Sequence, residues 1–346
     1  MNISHKKVRK ILSLQSSLSV LFAVLLYTLV SAWFFSPTIK AVDETDGSLI
    51  LLSTDCNDPM RASICSSIDS AQSSILLIIY TLADKKIITS LKHAADRGVN
   101  VAVIFDPVAS PEATFLLGDK ISSFGRRGAG LMHQKLLVID ESIVWVGSAN
   151  MTASSFLQYG NLMGCVRSKV LAERIIEYSK ALRTKSQFKQ PPLQIRLPSQ
   201  EFTFFIHPYQ ANESLKALIN KIDGASSRIF VAMYTFTHEE LLRVLVSAKK
   251  RGVTVKVLFD KDSILHTSIK AYVRCKREGI ICSFRKKSGL LHYKAAIIDD
   301  CLIFGSANWT KAAFKVNDDC LLFIEPLNNQ QKSWVNAWWK TQEMEF

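Results

Sequence analysis

Two segments of the sequence carry the same polar residue types at nearly the same spacing. Residues 133–150 read HQKLLVIDESIVWVGSAN, and residues 292–308 read HYKAAIIDDCLIFGSAN. Side chains two residues apart on an extended strand lie on the same face. Each segment therefore groups an imidazole, an ammonium, a hydroxyl and an amide, contributed by His133, Lys135, Ser148 and Asn150 in the first segment and by His292, Lys294, Ser306 and Asn308 in the second.

Both segments are predicted to fold as β-hairpins. Apolar residues fill both faces of the remaining strand positions, as expected for central strands of a sheet. A turn near residues 141–142 would place His133 opposite Asn150 and, in the same register, the lysine opposite the serine. The second segment is one residue shorter, and a three-residue turn over 299–301 would keep the same pairing there.

This set of side chains suits the cleavage of a phosphodiester. Buried polar groups without partners cost about 1–3 kcal/mol each, so their repetition in two copies indicates function. Two such faces that meet around a pseudo-two-fold axis would form one site, where the lysine and asparagine donors hold the non-bridging oxygens. One imidazole would attack phosphorus while the other protonates the leaving oxygen. The sequence has no C-x-x-C pair and no evident carboxylate cluster suited to Mg²⁺, so we expect neither a metal ion nor another cofactor.

A longer internal repeat surrounds the two segments. Residues 74–106 align with residues 227–260, and each copy reads as a strand, an amphipathic helix ended by glycine, and a second strand. Such βαβ units pair their strands in parallel. The hairpin follows, and a helix over 170–185 or 331–340 closes each copy. A duplication of this length predicts two homologous α/β modules.

Composition predicts the boundaries of the modules. The first module would span residues 48–190 and the second residues 200–346, with the proline-containing stretch 189–200 as the boundary between them. Residues 1–40 would form a separate N-terminal segment.

The N-terminal segment has the pattern of a membrane anchor or a secretory signal. Basic residues at positions 6, 7, 9 and 10 precede an apolar run from about Leu18 to Phe35, which is long enough to cross a bilayer as a helix. Because basic residues stay on the cytoplasmic side, we expect a membrane-anchored or secreted protein whose modules lie outside the cytoplasm. The sequence leaves open whether the segment is cleaved.

The chain is basic, with 43 Lys and Arg against 30 Asp and Glu and a formal net charge of +13. This excess favours a polyanionic partner, either nucleic acid or an anionic membrane surface. Two basic pairs occur at matched distances before the two histidines and are predicted to line the mouth of the cleft and contact substrate. These pairs are Arg126 with Arg127, and Arg285 with Lys286.

The pattern H-x-K-x4-D followed by G-S-x-N resembles the HKD motif of the phospholipase D superfamily. It occurs twice, as His133, Lys135, Asp140, Gly147, Ser148 and Asn150, and as His292, Lys294, Asp299, Gly305, Ser306 and Asn308. The resemblance covers nearly everything from about residue 48 to the C-terminus. It implies two phospholipase D-like α/β modules, related by a pseudo-two-fold axis and built of mixed central sheets flanked by helices, behind the N-terminal hydrophobic helix.

The resemblance also implies a mechanism. Superfamily members place the active site at the module interface and work through a phosphohistidine intermediate. The motif aspartates Asp140 and Asp299 would then belong to the catalytic set, and Ser148 and Ser306 would bind substrate. Residues 233–260 and 289–310 are most similar to the small branch of the superfamily, which contains bacterial endonucleases and the membrane-anchored mitochondrial cardiolipin hydrolase.

One departure from the family pattern concerns the residue eleven positions after the motif asparagine. Superfamily members usually have a glutamate there that hydrogen-bonds the motif histidine, whereas this chain has Asn161 and Asp319. A carboxylate beside an imidazole raises the imidazole pKa. If each residue serves the histidine of its own copy, Asp319 keeps His292 protonated as the general acid, and His133 beside Asn161 is the nucleophile.

The sequence therefore predicts a metal-independent phosphodiesterase that hydrolyses the head groups of phospholipids. The alternatives are an endonuclease of the same superfamily that acts on DNA or RNA, a transferase similar to cardiolipin synthases, and a degenerate module that only binds lipid or nucleic acid. One chain carries both motifs, so a monomer suffices for a composite site. The sequence does not decide between lipid and nucleic acid, or between hydrolysis and transfer.

Overall fold

Two mixed β-sheets, one from each sequence repeat, form the framework of the protein in the computed structural model, which describes residues 49–346. The strands of the first sheet are β1 Leu49–Ser53, β2 Ser74–Ile79, β3 Asn100–Phe105, β4 Ser122–Gly125, β5 Lys135–Ile139, β6 Ile143–Gly147 and β7 Leu162–Arg167. The described strands of the second sheet are β8 Leu193–Leu197, β9 Gln200–Ile206, β10 Arg228–Met233, β11 Thr254–Phe259, β12 Ile281–Phe284, β13 Lys294–Ile298, β14 Cys301–Gly305 and β15 Cys320–Glu325.

The two sheets follow the same plan. The first has the order β1-β7-β6-β5-β2-β3-β4, and the second has the order β12-β11-β10-β13-β14-β15-β9-β8. In each sheet the strands of the βαβ unit pair in parallel, and the hairpin joins them antiparallel. The predicted pseudo-duplicated α/β fold with mixed sheets is therefore confirmed. Strand β8 extends the second sheet and lies within the stretch 189–200 that the sequence suggested as a boundary.

Helices cover the sheets and connect their strands. In chain order they are α1 Met60–Asp69, α2 Lys85–Asp96, α3 Ala113–Leu117, α4 Ala153–Leu157, α5 Lys169–Thr184, α6 Ala211–Gly224, α7 Glu239–Lys250, α8 Lys261–Ser263, α9 Ile269–Arg277 and α10 Asn329–Glu343. A short 3₁₀ turn spans Thr54–Cys56, and a π-helical turn spans Ile264–Ser268. The predicted closing helices are present as α5 and α10, each within three residues of its predicted ends.

The helix α2 shows why the repeat folds as it does. Asp84 caps its first turn by accepting hydrogen bonds from the backbone N–H groups of Lys86 and Ile87. Buried residues recur at helical spacing along one face, and the chain leaves the helix through Gly98 with φ +89°. Gly252 has φ +95° after α7, so both copies use glycine to turn back into the sheet.

The hairpins form as predicted, but their register is shifted by one residue. Leu136 pairs with Val146, so Lys135 lies level with Gly147 and not with Ser148. In the second hairpin Ala295 pairs with Phe304, which produces the same shift. The predicted alignment of histidine with asparagine and of lysine with serine was therefore wrong.

The turns account for the shifted register. The first turn has three residues, with positive φ at Asp140 and Glu141, and the second has two, because Ile298 pairs with Cys301. A slip of one residue exchanges the faces of a strand, so the serines leave the face that carries the lysines.

The two sheets share one apolar core. It contains buried residues from both modules, among them Ile78 and Leu136 of the first and Phe204 and Phe304 of the second. The sheets approach so closely at Gly164 that a Cβ there would lie 2.7 Å from the ring of Phe304. The modules are thus packed into a single unit, which fixes the relative position of side chains at their junction.

The predicted N-terminal hydrophobic helix lies outside the described residues. Within residues 49–346, no helix combines the length and the apolar character required to cross a bilayer.

Candidate active site

The two motif histidines lie at the same edge of their sheets, which we call the histidine edge. It is the edge where the parallel strands β2–β4 and β10–β12 end and where the hairpin strands β5 and β13 begin. His133 and His292 lie two residues before the first residues of those hairpin strands and are only 6% and 7% exposed. The site is therefore recessed, and a substrate phosphate must reach the imidazoles from this edge.

Each histidine is held by a residue of the other module. The Nδ1 atom of His133 lies 2.8 Å from Oδ1 of Asp319, and the Nδ1 atom of His292 lies 2.9 Å from Oδ1 of Asn161. Serine hydroxyls donate to the same two oxygens, at 2.7 Å for Asp319 and 2.8 Å for Asn161. The amide of Asn161 also donates to the carbonyl oxygen of Ser155 at 2.9 Å, which orients Oδ1 toward the imidazole.

The sequence-based pairing of these residues was wrong. Asn161 and Asp319 had been assigned to the histidines of their own copies, but the chain segments cross at the pseudo-two-fold axis. Parallel backbone bridges join Met132 to Asp318 and Gly160 to Leu291. Each histidine segment therefore runs beside the residues that precede β15 or β7 of the other module. The carboxylate therefore serves His133, and the neutral amide serves His292.

These contacts determine which imidazole nitrogens face the substrate. In neutral rings Nδ1–H donates to Asp319 or Asn161, so the lone pair lies on Nε2. Burial lowers the pKa of His133 to about 4, helped by the charge of Lys135 and opposed by Asp319. Burial and the two motif lysines hold the pKa of His292 well below its ordinary value. Both pKa values therefore favour the neutral imidazoles at neutral pH.

The motif lysines are buried next to the histidines. Lys135 and Lys294 each donate from Nζ to the carbonyl oxygen of the histidine two residues earlier, at 2.7 and 2.8 Å. Burial lowers the pKa of Lys135 to about 7, and burial together with Lys135 holds the pKa of Lys294 well below its usual range. An anionic phosphate between them would favour their charged forms.

Asn150 and Asn308 are half-buried and follow β6 and β14, which end at the histidine edge. Their Oδ1 atoms are buried without a hydrogen-bond partner among the described residues. The two amide oxygens are thus not tied into the hydrogen-bond network of the described residues.

Ser148 and Ser306, predicted to bind substrate, are instead fully enclosed. Each hydroxyl accepts from a backbone N–H, of Leu162 or Cys320, at 3.0 Å and donates to the side chain that holds a histidine. Neither is more than 1% exposed. The serines therefore hold Asn161 and Asp319 from inside the protein, because the shifted hairpin register turns them inward.

Asp140 and Asp299, included in the predicted catalytic set, lie at the opposite end of the hairpins. Asp140 accepts from the backbone N–H groups of residues 72–74 at 2.7–3.0 Å, and Asp299 accepts from those of residues 226–228 at 2.9 Å. A five-residue strand separates each aspartate from its histidine end. They anchor the hairpin turn to the start of β2 or β10, so the structure does not bring them together with the histidines.

Of the four residues of the predicted basic rim, the two arginines that come first in each pair form ion pairs, and the other two residues are exposed. Arg126 contacts Asp318 at 3.3 Å, and Arg285 is 4% exposed in a two-bonded ion pair with Asp55 at 2.6 and 3.0 Å. Arg285 is held inside the protein and Arg126 is partly buried, and burial raises the pKa of Asp318 to about 6 despite Arg126. The side chains of Arg127 and Lys286 are exposed on the loops that follow β4 and β12.

Arg126 and Arg285 occupy matched positions, but their carboxylate partners come from different places in the chain. Arg126 pairs with the residue before Asp319, whereas the residue before Asn161 is Gly160. A Cβ on Gly160 would lie 2.8 Å from Nη1 of Arg285 and 3.0 Å from Asp55. Asp55, from the turn after β1, therefore supplies the carboxylate that position 160 lacks. Sequence reasoning missed this residue because it lies 230 positions from its partner.

Three tyrosines that sequence reasoning did not assign line the site. Tyr80 and Tyr234 lie at matched positions after β2 and β10, with ring centroids 5.0 and 5.1 Å from those of His133 and His292. The lysine ammonium groups lie over the same rings at 5.0 and 4.9 Å. Tyr159 lies 6.3 Å from His292. The alignment of Tyr80 with Tyr234 in the repeat was the available signal.

Two buried carboxylates also escaped assignment. Asp106 and Asp260 follow β3 and β11, and each accepts a hydrogen bond from the backbone N–H of the residue before a motif histidine, at 3.1 and 2.8 Å. They hold the histidine segments in place. Both were visible in the sequence as the aligned last residues of the repeat.

Comparison with known proteins agrees with this architecture. The family described as cardiolipin synthase, PLD-like domain, matches residues 64–183 and 218–339. Cardiolipin synthase B of Salmonella typhimurium is 25% identical over 309 residues, which cover 77% of this chain and 74% of that protein. A phospholipase D of Rickettsia felis is 30% identical over 125 residues, covering 35% of this chain and 62% of that one.

Solved structures show the same fold over nearly the whole described chain. The phosphatidylserine synthase of Haemophilus influenzae superposes with a TM-score of 0.67 at 13% identity and covers 86% of each chain. Both halves of the sequence match the same domain family, and the structure brings their motif histidines to one recessed site. This chain belongs to the phospholipase D superfamily, whose phosphodiesterase-type chemistry its paired histidines and lysines suit.

Proposed function

We propose that this protein cleaves the head-group phosphodiester of a phospholipid through a covalent phosphohistidine. The observation that carries the proposal is the pair of imidazoles held through Nδ1 by residues of the opposite modules. Because Nδ1 is the nitrogen used in each contact, Nε2 carries the lone pair of a neutral ring, and the motif lysines and asparagines belong to the same edge. A phosphodiester group placed there would meet a nucleophile, a proton donor and several hydrogen-bond donors at once.

His133 is the nucleophile in this proposal. Its Nε2 lone pair forms the N–P bond while the bond from phosphorus to the leaving oxygen breaks. The ring becomes cationic, and Asp319 stabilises it through the 2.8 Å contact to Nδ1. The sequence suggested the same role for the opposite reason, a neutral partner, and the structure removes that reason.

His292 transfers the protons. The negative charge of a bound phosphodiester raises the pKa of His292, so the ring takes up a proton and donates it to the leaving head-group alcohol. In the second step the same ring, now neutral, removes a proton from water. The resulting hydroxide attacks phosphorus, the N–P bond breaks, and phosphatidate and free His133 are released. Asn161 suits this role because it orients the ring without fixing a charge on it.

A transferase reaction is the second candidate. The first half-reaction is the same, but an alcohol replaces water in the second half and receives the phosphatidyl group. The similarity to cardiolipin synthases over most of this chain's length favours this candidate.

An endonuclease and a degenerate binding module are the remaining alternatives. The same histidine chemistry would cleave a nucleic acid, and the net positive charge would attract one. Both motifs are complete and are brought together, which disfavours a module without activity.

The deciding experiment uses the full chain, purified in mild detergent, with three labelled substrates: phosphatidylcholine, cardiolipin and single-stranded DNA. Release of the head group together with phosphatidate supports hydrolysis, and a phosphatidyl product formed with added glycerol or phosphatidylglycerol supports transfer. Oligonucleotide release with no lipid turnover would replace the proposal by the endonuclease. No turnover of any substrate would favour the binding module. A chain with His133→Ala serves as the inactive reference.

We also propose that the modules face away from the cytoplasm, on the basis of the basic and apolar pattern within residues 1–40. Protease treatment of intact cells or spheroplasts tests this proposal. Protection of the modules until the membrane is permeabilised would overturn it.

A further inference from the structure

The loops at the histidine edge expose aliphatic side chains from both modules. Val108 is 79% exposed, Leu157 65% and Leu265 68%, and Leu131 and Val316 are exposed to a smaller extent. Each of these side chains keeps two fifths or more of its surface exposed, and apolar surface grouped on one edge marks a site of interaction more often than the same surface scattered singly.

Backbone contacts place these five residues around the site. Asp106, which anchors the His133 segment, accepts a hydrogen bond from the backbone N–H of Val108. Leu265 lies in the π-helical turn that follows Asp260, the anchor of the His292 segment. Leu157 ends α4, two residues before Tyr159, while Leu131 and Val316 lie two and three residues before His133 and Asp319.

Basic side chains lie among these aliphatic residues. The exposed basic residues on the loops and helix starts of this edge are Lys85, Lys86, Arg127, Lys261, Lys286, Lys287, Lys311 and Lys315. They outnumber the exposed acids of the same edge, which are Glu112, Glu239, Glu240 and Asp262. The edge therefore combines positive charge with scattered apolar side chains around a recessed pair of histidines.

We propose that the histidine edge docks onto the surface of an anionic lipid bilayer. This inference rests on the proposed phospholipid substrate and adds the surface through which the enzyme meets it. Lysines and arginines attract anionic head groups, and aliphatic side chains gain stability by entering the boundary between head groups and acyl chains. A nucleic acid would be served by the positive charge alone and would leave the five aliphatic residues in water.

Docking also accounts for the recessed histidines. They are 6% and 7% exposed, so a head-group phosphate must leave the plane of the bilayer slightly to reach them. If the exposed side chains of the histidine edge enter the head-group layer, the distance between the phosphate and the histidines becomes shorter and lipid surrounds the site. Catalysis on a bilayer then depends on the rim, whereas catalysis on a freely dissolved phospholipid does not.

The test compares two forms of one substrate. Turnover of a short-chain phospholipid below its critical micelle concentration is measured beside turnover of the same head group in vesicles. The vesicles contain phosphatidylcholine with about 30% phosphatidylglycerol, so that their surface is anionic and attracts basic residues. The double variant Val108→Asp/Leu265→Asp alters one rim position in each module. Ile281→Asp is the matched control, since Ile281 is 47% exposed but begins β12 at the opposite edge.

Each of the two substitutions should lower turnover on vesicles by about tenfold or more, because it removes the burial of one aliphatic side chain in the bilayer. The double variant combines the two losses. Its turnover of the dissolved lipid should equal that of the wild type, and the control should match the wild type in both assays. Flotation with the same vesicles should show weaker binding of the double variant than of the wild type. All three chains carry the same N-terminal segment, so that segment does not contribute to this difference in binding.

Equal turnover of the double variant and the wild type on vesicles would overturn the docking surface while leaving the proposed function intact. Equal losses in both assays would also overturn it, because the changes would then act on the site and not on docking. If the wild type turns over no phospholipid in either form, the proposed function fails, and the flotation difference alone decides whether the edge binds lipid.

Discussion

Asp319 of the second module hydrogen-bonds His133 of the first, with 2.8 Å between Oδ1 and Nδ1. The two residues are 186 positions apart in the chain. Asp319 is fully buried, which favours its neutral form, yet His133, Lys135 and Ser306 together hold the pKa of its carboxyl below the usual range. A buried carboxylate thus stays charged next to the imidazole that we propose as nucleophile. The opposite contact, Asn161 to His292, carries no charge.

Both histidines should be required for turnover. His133→Ala and His292→Ala should each lower kcat by about two to four powers of ten, since each removes a group that reacts with the substrate. Circular dichroism should show an unchanged fold. His93→Ala, an exposed histidine on α2, is the control and should leave kcat unchanged. Full activity of either site variant would contradict a shared site.

The covalent phosphate should be found on His133. Asp319→Asn removes a charged hydrogen bond to the cationic ring, about 1.5–3 kcal/mol, and should slow formation of the intermediate roughly tenfold to a hundredfold. Rapid quenching without acid, followed by peptide mapping in a mass spectrometer, locates the phosphate. Phosphate on His292 with His133 unmodified would reverse the proposed roles.

The pH dependence of kcat/KM should be bell-shaped. His133 has a pKa of about 4, so the rate should rise with pH through that value as the nucleophile loses its proton. Lys135 has a pKa of about 7, so it is charged below that pH, and the rate should fall above it as the ammonium that binds phosphate is lost. A steady-state profile from pH 3.5 to 9 tests both limbs. A rate that still increases beyond pH 8 would rule out a charged Lys135 as a required phosphate ligand.

Hydrolysis should not depend on a divalent metal ion. The ammonium groups of Lys135 and Lys294 and the amides of Asn150 and Asn308 can supply the donors that stabilise the transition state. Turnover should therefore be unchanged after treatment with EDTA. Loss of activity on chelation, with recovery on adding Mg²⁺ or Ca²⁺, would show that these donors are insufficient.

The motif aspartates should affect stability more than rate. Asp140→Ala removes the acceptor of three backbone hydrogen bonds at the hairpin turn, and Asp299→Ala does the same in the second module. Each should lower the free energy of unfolding by about 1–3 kcal/mol, measured by urea denaturation. The kcat of the folded variants should be near that of the wild type. A loss of a hundredfold or more in kcat without loss of stability would restore the aspartates to the catalytic set.

Much of the fold could be predicted from the sequence because its signals are local. The alternation of apolar strands, the amphipathic helix ended by Gly98, and the closing helix each depend on residues close together in the chain. Their repetition in two copies predicted two similar modules, and the repeated His, Lys and Asn predicted one polar site. The register of the hairpins depends on the conformation of only two or three turn residues, and there the prediction was wrong by one position.

The partners of the site residues were decided by tertiary structure alone. Asn161 and Asp319 occupy matched positions in their copies, and nothing in their spacing reveals that each crosses the pseudo-two-fold axis to the other module's histidine. Asp55 likewise supplies the carboxylate that Gly160 lacks, although it comes from a turn that belongs to neither motif. Such contacts arise because two sheets pack through a common core, and close packing brings together segments that chain order keeps far apart. The sequence by itself thus determined which side chains are present and on which elements they lie. The packing of the two modules determined which of these side chains contact each other, and therefore which histidine has a charged partner.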